Sequence, residues 1–179
     1  HAGAEPGLER PAHGKHKLDP LLQKYRSAAE HGTPWLVLRD LDRDSACAPE
    51  LLERLGVRPT DNFCMRIAVR EVESWILADR QGLADFLRIP VARVNASPEA
   101  LPNPKRYVID LARSSRSRDI REAIVPHEGS GQEQGPEYAA QMAGFAENRW
   151  DVARAINDGA AASLTKVDTR LRELIARQR

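Results

Sequence analysis

The sequence predicts an α/β protein: a parallel-sheet core flanked by helices, followed by a mainly helical C-terminal part. Three observations carry that expectation. Trp35, Leu36, Val37 and Leu38 form a short apolar run that turns abruptly acidic, the profile of a strand buried on both faces. Phe63 to Val69 is a second such run, with Phe63, Met65, Ile67 and Val69 on one face, and it leads straight into helical spacing at Val72, Ile76 and Leu77. Towards the C-terminus the apolar residues recur every three or four positions, first over Tyr138–Ile156 and then from Leu164 to Ile175.

Composition sets the outer bounds. The 179 residues suit one domain, or one domain with a C-terminal extension, and 41 % hydrophobic with 30 % charged residues is the make-up of a soluble globular chain with a real core. The longest apolar runs fall far short of the roughly 20 residues a membrane span needs. The opening residues are polar and Pro/Gly-rich, unlike a signal peptide. A formal net charge of +1 gives no global nucleic-acid signature, so any such binding must come from local patches. Cys47 and Cys64 lack metal-ligand spacing, and two reduced thiols in the cytoplasm are the expectation.

Taken in order, residues 1–17 read as a loose or partly ordered lead-in, where His1, His13 and His16 are too scattered for a metal tract. Leu18 to Glu30 reads as a helix with Asp19 as N-cap, Pro20 at the first position, and Leu21, Leu22, Tyr25 and Ala28 or Ala29 facing inward. Its cations, with Lys15 and Lys17 before it, suit either phosphate binding or a solvated face. Pro49 to Leu55 is a helix ended by Gly56, and Gln81 to Leu87 another. Asp79, between the Glu-bearing helix and the next, reads as a surface acid. Pro90 to Pro104 holds four prolines in fifteen residues and so predicts a connector. His127 to Pro136 has three glycines and no apolar residue, an exposed loop. Ser163 caps the last helix, which runs to Ala176. The expected segments are therefore 1–17, an α/β core over 18–90, a connector over 91–104, and a basic helical part over 105–179.

The candidate chemistry lies at the ends of the two strands. Asp40 and Asp42, one residue apart just past the first strand, sit where open α/β sheets place their ligands. They can offer hard oxygen donors to one Mg²⁺ or Mn²⁺, and equally they suit turn and capping roles. Glu71 and Glu73 follow the second strand, and parallel neighbouring strands would bring both acidic clusters to one edge. The two glutamates are about 200° apart around a helix, so one at most faces a common cleft. Attraction to a helix N-terminus explains either one equally well. Lys105, Arg106, Arg113, Arg116, Arg118 and Arg121 make the most basic stretch, opposed within it by Asp110 and Asp119. Arginine forks clamp phosphates, and an acidic metal centre needs such a counterweight to draw in a polyanion.

The pair LRDLDRD and RIAVREVESWILADR resembles the uncharacterised Toprim-like proteins of bacteria. These are related to nuclease domains of the overcoming-lysogenization-defect type, many of them encoded beside ATPases in defence gene clusters. PKRYVIDLARSSRSRDIREAIVP, the GPEY near residue 136 and FAENRWDVARA extend the resemblance over roughly Gly32 to Leu174. It implies a Toprim-like core, Mg²⁺- or Mn²⁺-dependent phosphodiester cleavage, and a role in defence against phage or mobile DNA. Asp40 and Asp42 carry over as the metal-binding D-x-D pair, while Glu71 and Glu73 fall on the paired glutamates that precede a Trp. All four are thereby expected as catalytic and metal residues, with nucleic acid, DNA foremost, as substrate and an ATPase as a possible partner. The family pattern begins with a strand and a Glu that the opening residues lack. Either an upstream segment supplies them or the first element is lost, which leaves a non-catalytic module that binds nucleic acid or an ATPase as the alternative. Self-association stays open, and a membrane partner is not expected.

Overall fold

A computed structural model describes residues 7, 9–32, 34–158 and 160–177. In chain order the elements are α1 (Lys15–Leu18), α2 (Leu22–Glu30), β1 (Trp35–Asp40), α3 (Ala48–Leu55), β2 (Phe63–Ala68), α4 (Glu73–Ala78) and α5 (Arg80–Leu87). They continue with α6 (Pro104–Arg113), α7 (Arg118–Ile124), α8 (Tyr138–Asn148), α9 (Val152–Asn157) and α10 (Ala162–Ala176). Short 3-10 turns occupy Asp19–Leu21, Val91–Arg93 and Pro98–Ala100. The protein is thus α/β with a small parallel sheet and a largely helical remainder, as the apolar patterning predicts. Among the described residues no helix is long and apolar enough to cross a membrane.

Two compact units divide the chain: residues 1–69 with 163–179, and residues 70–162. In the first, β1 and β2 pair in parallel with Trp35 opposite Phe63 and Asp40 opposite Ala68, and α3 lies in the crossover between them. Side chains alternate across a strand. One face presents Val37, Phe63, Met65 and Ile67 to a core shared with Leu22 of α2 and Leu51 of α3. Full burial of a side chain such as Phe63 or Leu51 stabilises by about 1.5–3 kcal/mol. Gly56 ends α3 in the left-handed region at φ 63, where a side chain would strain the backbone.

Two sequence expectations change here. The first helix does not run unbroken from Leu18: a 3-10 turn at Asp19–Leu21 separates α1 from α2. Asp19 makes no side-chain cap there. Its carboxylate instead takes Nε and Nη2 of Arg39 at 3.1 and 2.9 Å. Residues 1–6 and 8 of the expected lead-in lie outside the described part, and its last residues form the start of α1.

The second unit is helical, with a core that includes Leu77, Leu83, Val108, Ile109, Ile124 and Phe145. This unit runs from residue 70 to residue 162. Helix α4 is bonded to residues far along the chain: the Trp150 indole N–H donates to the Trp75 carbonyl at 3.0 Å, and the Tyr138 hydroxyl donates to Glu73 at 3.0 Å. These ties place the Glu-bearing helix with the later helices. The Pro-rich connecting segment packs within the same unit: Val94 is 2 % exposed, and its carbonyl accepts from Arg80 Nε at 3.1 Å. The basic stretch forms two helices, α6 and α7, and the Tyr138–Ile156 pattern also divides, because Asp151 caps α9 through the N–H groups of Ala153 and Arg154.

Asp79 is the clearest correction. Far from being a surface acid it is fully buried, and it caps α5 by accepting from Gly82 N–H at 3.1 Å. It also accepts from the Asp151 N–H at 2.9 Å and from Nε and Nη2 of Arg154, both at 2.8 Å. Burial on its own would raise the carboxyl's pKa, but the Arg154 fork and the two backbone N–H donors outweigh it and hold the group below its ordinary range. Gly82 is required beside it, since a Cβ there would stand 2.3 Å from Asp79 Oδ2.

Candidate metal centre and basic surfaces

The D-x-D pair emerges directly from β1. Asp40 is the last strand residue, and the Leu41 N–H continues the ladder to the Ala68 carbonyl at 2.9 Å. The chain then turns sharply: Asp42 lies in the left-handed region at φ 51, and the Asp44 N–H bonds back to the Leu41 carbonyl at 3.2 Å. Asp tolerates that backbone better than most residues, and such conformations concentrate at functional turns.

The turn's electrostatics are set by two cations. Lys15 Nζ lies 3.0 Å from Asp42 and 2.7 Å from Asp44, bridging the two carboxylates. The guanidinium of Arg39, 6 % exposed, is 2.8 Å from Asp44 and joins it to Asp19; it also donates to the Asp40 carbonyl. Hydrogen bonding to Asp44 first, and then to Asp42, raises the Lys15 pKa. Lys15, with further help from Arg39, holds the Asp44 carboxyl below the usual carboxylate range. Sequence reading missed Asp44 as a member of this cluster. Its D-x-D-x-D spacing with Asp40 and Asp42 is the signal that could have found it.

Glu71 and Glu73 belong to the other unit, and each is engaged there. Glu71 Oε2 accepts from the backbone N–H of Lys105 at 2.9 Å, so it caps the first turn of α6, favoured by the partial positive charge of a helix N-terminus. Glu73 is 7 % exposed; besides the Tyr138 hydroxyl it has Lys105 Nζ at 3.6 Å, and that ammonium also sits 5.9 Å from the centre of the Tyr138 ring. Burial, reinforced by the charge of Glu73 and its hydrogen bond, pushes the Tyr138 hydroxyl pKa upward, so this phenol stays protonated. Among the described residues, no group of three or more His, Cys, Asp or Glu side chains is arranged to hold a metal ion. The acidic turn has Lys15 in its midst instead.

Three of the six expected nucleic-acid contacts are engaged with acids of their own helix. Arg106 and Arg113 each lie 3.4 Å from Asp110, Arg118 lies 2.7 Å from Glu122, and Lys105 faces Glu73. Arg121 donates to the Ser115 carbonyl. Arg116 is exposed and has no ion-pair partner among the described residues. The pairs on α6 and α7 are solvent-exposed and therefore weak, so a phosphate can replace the carboxylate at little cost.

Compared with models of known protein families, with curated proteins and with solved structures, the chain matches none.

Proposed function

We propose that the chain is a Toprim-like protein whose acidic turn binds Mg²⁺ or Mn²⁺ and serves phosphodiester cleavage in nucleic acid. One observation carries this reading: carboxylates past the end of a parallel strand already close around a cation, the Lys15 ammonium held between Asp42 and Asp44. The donor set fits a hard divalent ion, because carboxylate oxygens are what Mg²⁺ and Mn²⁺ prefer. Asp40 and Asp42 would be the ligands. Arg39, fixed by Asp19, would hold the turn in shape, and Lys15 would yield its place. When bound, the ion would polarise a phosphate oxygen and acidify a water molecule. Glu71 and Glu73 lie in the other unit, where the Lys105 N–H and the Tyr138 hydroxyl already engage them. The exposed arginines of α6 and α7 would exchange their carboxylate partners for backbone phosphates. The defence setting and the ATPase partner rest on the family resemblance alone.

A second reading, a module that binds nucleic acid or a partner ATPase without cutting, is favoured by the neutralisation of the turn by Lys15 and Arg39. The test is cleavage of end-labelled single- and double-stranded DNA and RNA with Mn²⁺. The nuclease reading expects cleavage that Asp40→Asn and Asp42→Asn both abolish. Binding without cleavage in the parent supports the second reading instead.

A further inference from the structure

Within the first unit, a groove of about 260 Å³ lies between β2 and α10, lined by Arg66, Thr165, Lys166, Thr169, Arg170 and Glu173. Its geometry follows from two periodicities. Lys166, Thr169, Arg170 and Glu173 are spaced i, i+3, i+4, i+7 and so share one face of α10. Arg66 is the one half-exposed residue of β2 and lies opposite the exposed Leu38 in the strand register. Three cations thus converge from two elements against one carboxylate, Glu173, leaving a surplus of two positive charges.

The cations are not all consumed by the fold. Arg170 is anchored, with Nη1 2.7 Å from Glu173 and Nη2 donating to the Thr60 carbonyl at 3.1 Å. Thr169 donates its hydroxyl to the Thr165 carbonyl at 3.0 Å. Lys166 is exposed and has no ion-pair partner among the described residues. Arg66 makes a long 3.3 Å bond to the Met65 carbonyl, while its Nε is shielded from solvent and has no hydrogen-bond partner. A buried, unmatched N–H on a guanidinium costs stability and needs a compensating role.

From this arrangement we infer that the β2–α10 groove is a phosphate-binding site, with Arg66 and Lys166 as the residues that meet the anion and Arg170 as the fixed base of the site. A planar guanidinium beside a mobile ammonium suits a tetrahedral oxyanion, and a surplus of two charges matches a phosphate dianion or two backbone phosphodiesters. The site is independent of the acidic turn and of any cleavage activity. Its phosphate can come from a small ligand or from a nucleic-acid strand.

The full chain, in EDTA so that no divalent ion contributes, is titrated with inorganic phosphate and separately with a twelve-nucleotide single-stranded DNA, following backbone amide resonances. Shifts at Lys166, Thr169 and Arg170 that saturate with either titrant are expected, and Lys166→Gln should weaken them several-fold while leaving the rest of the spectrum in place. Saturation by phosphate with no gain from the oligonucleotide identifies a small phosphate ligand as the source. Saturation by the oligonucleotide, with a salt-dependence slope reduced by about 0.7 in Lys166→Gln, identifies a single-strand backbone. If neither titrant moves these amides, or if Lys166→Gln and Arg66→Gln both bind like the parent, the inference is overturned.

Discussion

The carboxylates of this protein divide into two kinds, and the contrast between the Asp79 region and the Asp42 turn shows what separates them. Asp79 is fully buried and accepts four hydrogen bonds, from Gly82, Asp151 and twice from Arg154. Asp42 sits on a turn with its side chain 36 % exposed, in a left-handed backbone, against a flexible lysine that is itself 30 % exposed. A buried acid with every lone pair engaged builds the fold, and its removal leaves orphaned donors. A part-exposed acid with an exchangeable counter-ion contributes little to stability and is available to a ligand. Glu73 stands with Asp79 in this division, and Asp44, anchored by Arg39 yet touched by Lys15, stands between.

The largest effect expected from this contrast is at Asp79. Asp79→Ala should lower unfolding stability by about 2–4 kcal/mol, since it uncaps α5 and strands two N–H groups, read as a lower midpoint in urea denaturation. Its pH dependence carries a definite sign. The folded carboxyl is held below the unfolded value of about 3.9, so its contribution is complete above that range and is lost as pH falls through the folded value. The loss of stability between about pH 5 and pH 2 should therefore be shallower in Asp79→Asn than in the parent.

Next in size is Gly82→Ala, where overpacking against Asp79 should cost about 1–3 kcal/mol. Tyr138→Phe should cost about 1–2 kcal/mol by withdrawing the donor from buried Glu73. At the other end of the contrast, Asp42→Asn should change stability by only about 0.5 kcal/mol or less, although it lies in the motif with the strongest functional signal. A large loss at Asp42 would erase the distinction. Lys15→Gln sharpens it from the other side: removing the resident cation should tighten Mn²⁺ binding, measured by calorimetry, with no comparable gain from Lys24→Gln.

Much of the fold was legible in the residues. The two apolar runs became β1 and β2, although β1 continues two residues past Leu38 to Asp40 and is not buried on both faces, since Leu38 is 47 % exposed. Gly56 closed α3 as expected, for a backbone reason local to one residue. What escaped was non-local. Nothing in the sequence around Asp79 announces Arg154, 75 residues on, so the acid read as solvated. Likewise nothing local announces that Asp19, expected as a cap, pairs with Arg39 twenty residues on. At the candidate site, the placement of Asp40 and Asp42 around the end of β1 was legible from the strand pattern, with Asp40 as its last residue and Asp42 just past it. The Lys15 bridge was not, because the sequence offered that lysine equally to phosphate and to solvent. Glu71 looked like a residue drawn to a helix N-terminus, and it is one. The helix it caps is α6, reached across the fold, and not the one it precedes.

The most direct test of the central claim is calorimetric titration of Mn²⁺ into the full chain, alongside Asp40→Asn and Asp42→Asn. Saturable binding at sub-millimolar affinity in the parent, lost in both variants while their unfolding midpoints stay close to the parent's, is the predicted result. No binding in the parent, or binding that survives both substitutions, would contradict the assignment of the acidic turn as a metal site.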